Sequence, residues 1–345
     1  MQISDFDFDL PEELIAQHPL ERRDDSRMLI IDRATKSWQD SRFIEFPSFI
    51  REGDVVVVNN TRVFPARLVG MREPFGGHVE LFLVRELRPD IWETLARPAR
   101  KLKNGAHLSF GDGKLRAEVI GILADGHREV HFQYDGSFHM LLEEIGQTPL
   151  PPYIKRSKTP GPEDRERYQT VYARQRGAIA APTAGLHFTP GILEAVRSRG
   201  AEVVEITLHV GYGTFEPVRV RDLSEHSVTP EKYEISIEAQ RAINNARPQG
   251  GRIVAIGTTT TRALESATVE TGVIRSGPGT AELTITPGYR FRTVDSLLTN
   301  FHLPRSSLLV LVSTLAGRDL ILQAYRHAVN NKYRFYSYGD CMLIV

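Results

Sequence analysis

Four consecutive valines within the segment DVVVVNN (54–60) constrain most strongly what this chain of 345 residues can fold into. A run that is apolar at every position is typical of a strand buried on both faces, as in a parallel sheet covered by helices. Other segments alternate between strand-like and helix-like patterns, which predicts an α/β fold built on a barrel-like or mixed sheet. The predicted strands are 203–210 and 252–257, and the predicted helices begin at Thr189-Pro190 and span 238–247, 306–317 and 319–331.

A different pattern runs from residue 62 to residue 151. Short apolar segments at 79–84, 117–123 and 129–134 follow glycine-containing turns, and the last of them alternates cleanly. Regular turns between period-2 segments predict antiparallel strands closed into a small barrel or sandwich. We therefore predict a smaller all-β, barrel-like domain at 62–151, inserted into a discontinuous α/β domain at 1–61 and 152–345. The segment 159–167 (TPGPEDRER) is predicted to be a mobile loop.

Composition excludes several classes of protein. Lys+Arg and Asp+Glu both number 43, so no overall basic charge points to a nucleic-acid partner, although a local basic surface stays open. Cys341 is the single cysteine, which excludes an internal disulfide framework and fits a reducing compartment. The acidic start lacks a signal-peptide pattern, and the longest apolar stretch (308–316) is shorter than the roughly 20 residues of a membrane span. We expect a cytoplasmic protein without membrane contact, and a monomer because no coiled coil is evident.

Four loops rich in small and hydroxyl residues each follow an apolar run, at 178–190, 206–217, 255–266 and 300–309. The carboxyl ends of strands are where α/β folds bind ligands. We therefore predict that these loops come together to form a single pocket, the active site of an enzyme. The threonines before Arg262, and Arg305 with its following serines, fit either an anion site at a helix start or ordinary N-capping. Polar residues 59–62 fit a hydrogen-bonded hinge or ligand contacts, and the sequence favours the hinge.

Three histidines, His187, His209 and His302, lie in these loops and could act as acid or base or be structural. No two of them share a helical face, so a metal site is not expected. The usual phosphate-loop, zinc-protease, nucleophile-elbow and dinucleotide motifs are absent from the sequence. Tyr333, Tyr336 and Tyr338 could stack on a base or pack in the core.

The chain resembles the S-adenosylmethionine:tRNA ribosyltransferase-isomerase family of queuosine biosynthesis over essentially its whole length. The resemblance is carried by PTAGLHF, LHVGYGTF, GTTTTRALES, NFHLPRSSLLVLVSTLAG and YSYGDCMLI, with NNTRVFPARL, LPPYIKR and the start DFDFDLPEELIAQHPLERRDDSRML upstream. It implies transfer of the ribosyl part of S-adenosylmethionine onto 7-aminomethyl-7-deazaguanine at the tRNA wobble position. The sugar is isomerised, and adenine and methionine are released. Such a reaction consumes S-adenosylmethionine as a substrate and implies no metal or redox cofactor.

Within that reaction, we predict His187 or His209 as the base that removes the proton beside the sulfonium. Arg262 or Arg305 is predicted to hold the methionine carboxylate or a tRNA phosphate. Further predicted substrate contacts are Asn60, Thr61, Arg62, Thr183, Gly185, Gly211, Tyr212, Thr214, Thr259, Thr260 and His302. The predicted tRNA track is Lys155, Arg156, Arg165 and Arg167, with Lys101 and Lys103 as weaker members. A methyltransferase and a non-catalytic RNA-binding module are the alternatives.

Overall fold

A computed structural model describes residues 1–74, 76–156, 161–215, 218 and 220–345, without the side chains of Pro162, Thr214 and Phe215. Its main element is a mixed sheet of nine strands. Their spatial order is β15 (Gly277–Ala281), β13 (Glu231–Ile235), β12 (Glu202–Leu208), β3 (Val55–Asn59), β14 (Ile253–Ile256), β16 (Ser296–Asn300), β17 (Cys341–Ile344), β1 (Arg27–Asp32) and β2 (Ser37–Arg42). The central strands β12, β3, β14 and β16 run parallel, and antiparallel strands flank them.

The valine strand β3 lies between two apolar layers. Val55 and Val57 face one core and Val56 and Val58 face the other, because successive side chains of a strand point to opposite faces. The first core is covered by α4 (Ile237–Ala246), α5 (Thr258–Ala267), α6 (Ser307–Ala316) and α7 (Arg318–Asn330). The second is covered by α3 (Pro190–Ser198) and the 3-10 segment Phe43–Phe49. The predicted strand buried on both faces is confirmed.

Six antiparallel strands close into a separate barrel. Their order is β10 (Arg128–Tyr134), β7 (Ile91–Arg97), β6 (His78–Arg88), β5 (Arg67–Glu73), β8 (His107–Phe110) and β9 (Leu115–Ile122). Apolar side chains fill its interior, and α1 (Phe138–Ile145) contributes Phe138 and Leu142 to that core. The predicted fold, a mixed α/β sheet with a smaller β-barrel, is confirmed. The domain boundaries at residues 62 and 151 stay a prediction.

A two-stranded sheet lies where the chain leaves β3 for the barrel. Strand β4 (Thr61–Val63) pairs in parallel with β11 (Gln175–Ala178), so the outgoing and returning segments lie side by side. The loop predicted at 159–167 is partly wrong, since 162–167 form the short helix α2 (Pro162–Arg167), while residues 159 and 160 lie outside the described residues. Proline at its first position and Arg156 paired to Asp164 stabilise that helix.

No single helix within the described part of the chain is long and apolar enough to cross a membrane. Helices α6 and α7 reach that length and composition only as a pair, and they are bent by 117° at the break between them.

Candidate active site

Two adjoining cavities open at the carboxyl ends of the parallel strands. The first has a volume of about 570 Å³ and lies between the segment 226–231, helix α5, the segment 284–286 and helix α6. The second, of about 530 Å³, lies between the segment 180–184, the loop after β16 and the turn 336–337. Thr258, Thr259 and Leu308 line both cavities. Two of the loops predicted from the sequence therefore meet at the shared wall, at the edge of the sheet where α/β folds bind ligands.

The shared wall is the start of α5. Its N-cap is Gly257, with φ of +95° and no side-chain cap, so N-capping by the threonines is the wrong interpretation. Thr260 and Thr261 donate their hydroxyls to the carbonyls of Ile256 and Gly257. Thr258 and Thr259, by contrast, have no side-chain hydrogen bond within the described residues and line the cavities. Open N–H groups, two free hydroxyls and the helix dipole together make this wall suitable for an anionic group.

Arg262, one turn further along α5, is held by protein groups. Its guanidinium donates to Glu231 Oε2 at 2.7 Å and to the carbonyls of Leu283, Ala281 and Thr229. These four hydrogen bonds occupy most of the five N–H donors of an arginine. Burial lowers the pKa of Arg262, and the charge of Glu231 opposes that effect. The carboxylate of Glu231 in turn accepts the N–H of Gly211 at 2.9 Å, so this buried pair positions the loop beside the first cavity.

Arg305 lies away from both cavity walls and is largely exposed. Its guanidinium pairs with Asp7, with Nε 2.8 Å from Oδ2, and its backbone N–H donates to Phe6 O. The following Ser306 is the N-cap of α6, accepting the N–H of Leu309 at 3.2 Å. N-capping is thus confirmed at this helix, and Arg305 anchors the amino-terminal segment.

The second cavity has an aromatic wall formed by Tyr153 and Tyr336, whose ring centroids are 4.0 Å apart at 65°. Tyr336 has φ of +75°, which is rare for a bulky residue. Three hydrogen bonds hold it there: its N–H donates to Phe301 O, and its carbonyl accepts from Asn300 Nδ2 and Gly339 N. Such a conformation persists only where the surroundings enforce it, often beside a binding site. Thr183 and His302 also line this cavity.

His187 lies behind the second cavity and is fully hydrogen-bonded. Because Asn300 Nδ2 donates to two carbonyls, its Oδ1 accepts from His187 Nε2 at 3.0 Å. His187 Nδ1 is then left to accept the hydroxyl of Ser26 at 2.9 Å. Burial lowers the pKa of His187 to about 4, and that of His302 to about 3. Neither nitrogen of His187 is open to a ligand in this arrangement.

The buried neutral state of His187 predicts acid destabilisation. Above pH 6.5 the histidine is neutral in both folded and unfolded chains; as the pH falls towards 4, only the unfolded chain takes up the proton. We expect the free energy of unfolding to fall by about 3 kcal/mol from this group over that range. Urea unfolding between pH 7.5 and 4.5 measures it, with His187→Gln as the control that reduces the slope and leaves the contribution of the buried His302. An unchanged slope in the variant would contradict the assignment.

His209 lies on the hinge side of its strand. Its neighbour Val210 lines the second cavity, whereas His209 Nδ1 is 2.9 Å from Thr61 Oγ1 and the ring packs on Gly177. Burial lowers the pKa of His209. Neither His187 nor His209 lines either of these two cavities, and their assignment as the base stays a prediction.

The residues around 59–62 form the expected hinge. Asn59 bonds both backbone groups of Leu208, and Asn60 bonds Glu205 and Thr207. Thr61 is buried and its hydroxyl is 3.3 Å from Gln175 O, while Arg62 is exposed. These hydrogen bonds support the hinge interpretation over ligand contact.

Three further predicted substrate contacts, Gly185, Gly211 and Tyr212, are not among the described residues that line the two cavities. Gly185 packs against the hydroxyl of Tyr172, leaving no room for a side chain there. Tyr212 contacts Phe82 of the barrel edge-on at 5.5 Å and precedes Gly213, which lines the first cavity. The side chain of Thr214 lies outside the described residues.

The predicted tRNA track is largely neutralised by protein partners. Arg156 makes a two-pronged pair with Asp164, at 2.7 and 3.0 Å, and Lys155 pairs with Glu12. Arg165 pairs with Glu143, and Arg167 donates to the carbonyls of Leu20 and Glu21. Three of the four cations are therefore ion-paired, while Arg167 is held by carbonyls and keeps its charge.

His226 and Glu231 are site residues that the sequence prediction missed. Both line the first cavity, and the buried Nε2 of His226 has no hydrogen-bond partner in the described part of the chain. Burial lowers the pKa of His226, which keeps the ring neutral. Their segment shows no distinctive local pattern, and only the approach of α5 brings them to the cavity.

One group of described residues could offer ligands to a metal ion, namely Glu93, Asp125 and His127 on the barrel. Glu93 already pairs with Arg85 at 2.6 Å and with His127 at 2.7 Å. The positive charge of Arg85 opposes cation binding, so we assign no metal to this group.

Comparisons with known proteins cover the whole chain. The model of a family described as "Queuosine biosynthesis protein" matches residues 3–344. The S-adenosylmethionine:tRNA ribosyltransferase-isomerases of Symbiobacterium thermophilum and Desulfitobacterium hafniense are 52% and 50% identical over 345 residues, covering all of both chains. A crystal structure of S-adenosylmethionine tRNA ribosyltransferase from Thermotoga maritima is 35% identical, with a TM-score of 0.55, over 99% of this chain and 100% of that one.

Proposed function

Because this chain belongs to the queuosine biosynthesis protein family, we propose that it is an S-adenosylmethionine:tRNA ribosyltransferase-isomerase. It transfers and isomerises the ribosyl moiety of S-adenosylmethionine onto 7-aminomethyl-7-deazaguanine at the tRNA wobble position. The products are epoxyqueuosine-tRNA, adenine and methionine. The observation that carries the proposal is the sequence identity of about 50% over the full length to enzymes with that name. The two-cavity site on the matching fold supports it.

The two cavities suit two ligands that must react with each other. The start of α5 at the shared wall suits the methionine carboxylate, since open N–H groups and hydroxyls bind anions. The Tyr153–Tyr336 wall suits a purine-like base, since aromatic rings stack on such bases. An unpaired wobble base can be splayed into a pocket at small cost. The shared wall would place the two substrates side by side.

The proposed chemistry begins with loss of a proton from the carbon beside the sulfonium, which the positive sulfur acidifies. Adenine departs, the sugar rearranges, and the aminomethyl nitrogen of the tRNA base attacks as the nucleophile and gives up a proton. The bond between the sugar carbon and the sulfur breaks, which releases methionine. We place the proton on His226, which lines the first cavity and whose buried Nε2 has no hydrogen-bond partner among the described residues. The sulfonium supplies the activation, so we propose no metal or redox cofactor. Cytoplasmic location and a monomeric state stay predictions.

Adenine release tests the function directly. Purified protein is incubated with S-adenosylmethionine and tRNA carrying 7-aminomethyl-7-deazaguanine, with unmodified tRNA as the control. Adenine with the modified tRNA alone, and a mass gain on that base, are the expected results. Methyl transfer with release of S-adenosylhomocysteine would identify a methyltransferase instead, and tRNA binding without turnover would identify a binding protein.

Removing the ring of Tyr336 should selectively weaken the binding of one of the two substrates. We expect Tyr336→Gly to raise the KM of that substrate about 10- to 100-fold, because base–aromatic stacking contributes roughly 1–3 kcal/mol. Glycine accepts φ of +75° readily, so the backbone turn should persist. Tyr336→Phe is the control that keeps the ring. Separate KM values for S-adenosylmethionine and tRNA show which base stacks there, and two unchanged KM values would exclude the role.

A further inference from the structure

A basic segment on the barrel, residues 97–103, makes no ion pair among the described residues; Glu80, which lies opposite Arg97 on β6, pairs with Arg67 instead. Its four cations, Arg97, Arg100, Lys101 and Lys103, are all exposed. None of them forms an ion pair with a residue that the structure describes. In this respect the segment differs from Lys155, Arg156 and Arg165, whose charges are paired.

A buried arginine holds this segment from below. Arg128 donates Nε to Leu102 O at 2.7 Å and Nη2 to Ala99 O at 2.6 Å, and it also bonds Gly126 O. Its hydrogen-bond acceptors among the described residues are all carbonyls, so its charge stays uncompensated. Leu102 is fully buried in the barrel core. The turn Ala99–Lys101 is therefore fixed at both ends, and its basic side chains point into solvent.

The basic segment begins on a barrel strand that is linked by two contacts to the first cavity. Phe82, whose ring contacts Tyr212 beside the first cavity, pairs across the barrel sheet with Leu95. Arg97 follows Leu95 by two residues on the same strand, a distance of roughly 7 Å. If the reacting base of a nucleic acid occupied one of the two cavities, we expect the flanking backbone to lie along this part of the barrel.

We propose that residues 97–103 bind backbone phosphates of the tRNA flanking the wobble nucleotide, an inference that rests on the proposed function. Phosphates are the chemistry that the segment fits: it offers four exposed cations within seven residues, none in an ion pair with a described residue, next to the further buried positive charge of Arg128. Fixing the turn in advance reduces the ordering cost on binding. RNA is favoured over an acidic protein or a lipid surface because the segment continues strand β7, which pairs with Phe82 beside Tyr212 and the first cavity, and the first cavity adjoins the one proposed to stack a purine-like base.

The test compares two triple variants with equal loss of charge. Arg100→Gln, Lys101→Gln and Lys103→Gln together remove the basic turn. The matched control combines Arg241→Gln, Arg275→Gln and Arg326→Gln, which are exposed positions on the α/β part of the molecule. Affinity for tRNA carrying 7-aminomethyl-7-deazaguanine is measured by fluorescence anisotropy from 50 to 300 mM salt. S-adenosylmethionine binding is measured in parallel by calorimetry.

For the basic-turn variant we expect a Kd for tRNA that rises about 10- to 100-fold at moderate salt. The slope of log K against log salt should become shallower by about 2, since each phosphate contact contributes roughly 0.7–0.9. S-adenosylmethionine affinity should stay unchanged, and the control variant should match the wild type. Equal slopes for both variants would overturn the proposal. Binding to anionic phospholipid vesicles is measured as well, and a basic-turn variant that lost vesicle binding but kept its tRNA affinity would also overturn it. A wild-type protein that binds no tRNA would overturn the proposed function instead.

Discussion

Replacing Arg262 by methionine is expected to lower the free energy of unfolding by about 3–5 kcal/mol, because it breaks the buried ion pair of Arg262 with Glu231. The two side chains are almost completely buried and lie 2.7 Å apart. Glu231 also holds the N–H of Gly211, so its displacement should disturb the rim of the first cavity. Urea-induced unfolding at pH 7.5 measures the loss.

The matched control removes both charges. In the double variant Arg262→Met, Glu231→Gln, the amide oxygen can still accept the N–H of Gly211, and neither charge of the Arg262–Glu231 pair remains. We expect it to regain most of the lost stability, since buried ion pairs often contribute little beyond neutral replacements. A double variant as unstable as Arg262→Met would show that the guanidinium stabilises the fold chiefly through the carbonyls of Leu283 and Ala281.

Replacing His226 by glutamine is expected to lower kcat about 100- to 10,000-fold, the range for loss of a proton acceptor. Glutamine keeps a polar side chain in the first cavity but cannot take up a proton. Burial lowers the pKa of His226, so acidification should protonate the ring only below the ordinary histidine range. We expect the wild-type rate to stay constant as the pH is lowered to 6.5 and to fall at more acidic pH, once the ring is protonated. Single-turnover adenine release across pH 5–8 measures both features.

His187→Gln and His209→Gln complete that experiment, since the sequence favoured those two positions. If His226 is the acceptor, both should retain most of their turnover at pH 7.5. A loss confined to His209→Gln would restore the original prediction and remove His226 from the mechanism. Tight binding of S-adenosylmethionine by each variant excludes misfolding as the cause of a lost rate.

Much of this site could be anticipated from local pattern. The small-residue loops after apolar runs were expected to converge, and Thr183, Thr259, Arg262 and His302 all line the cavities. Such loops are readable because their glycines and hydroxyls break a strand pattern at a fixed place along the chain. The resemblance to a known family supplied the chemistry, which composition and periodicity did not show.

Partners distant along the chain could not be read in this way. The sequence predicts Arg262 as a ligand contact, but in the fold Arg262 pairs with Glu231. The sequence predicts His187 as a base, but Asn300 and Ser26 hydrogen-bond both of its ring nitrogens. His226 carries no local signal, and the helix that encloses it lies more than thirty residues away.

By itself, then, the sequence determined the elements: the doubly buried strand Val55–Asn59, the antiparallel strands of the inserted β region and the loops that end the parallel strands. These follow from the spacing of apolar side chains over a few neighbouring residues, which is a local property. Only the tertiary structure decided which polar groups stay open to a ligand. That depends on whether another segment supplies a partner within about 3 Å, and such distances exist only once the chain has folded.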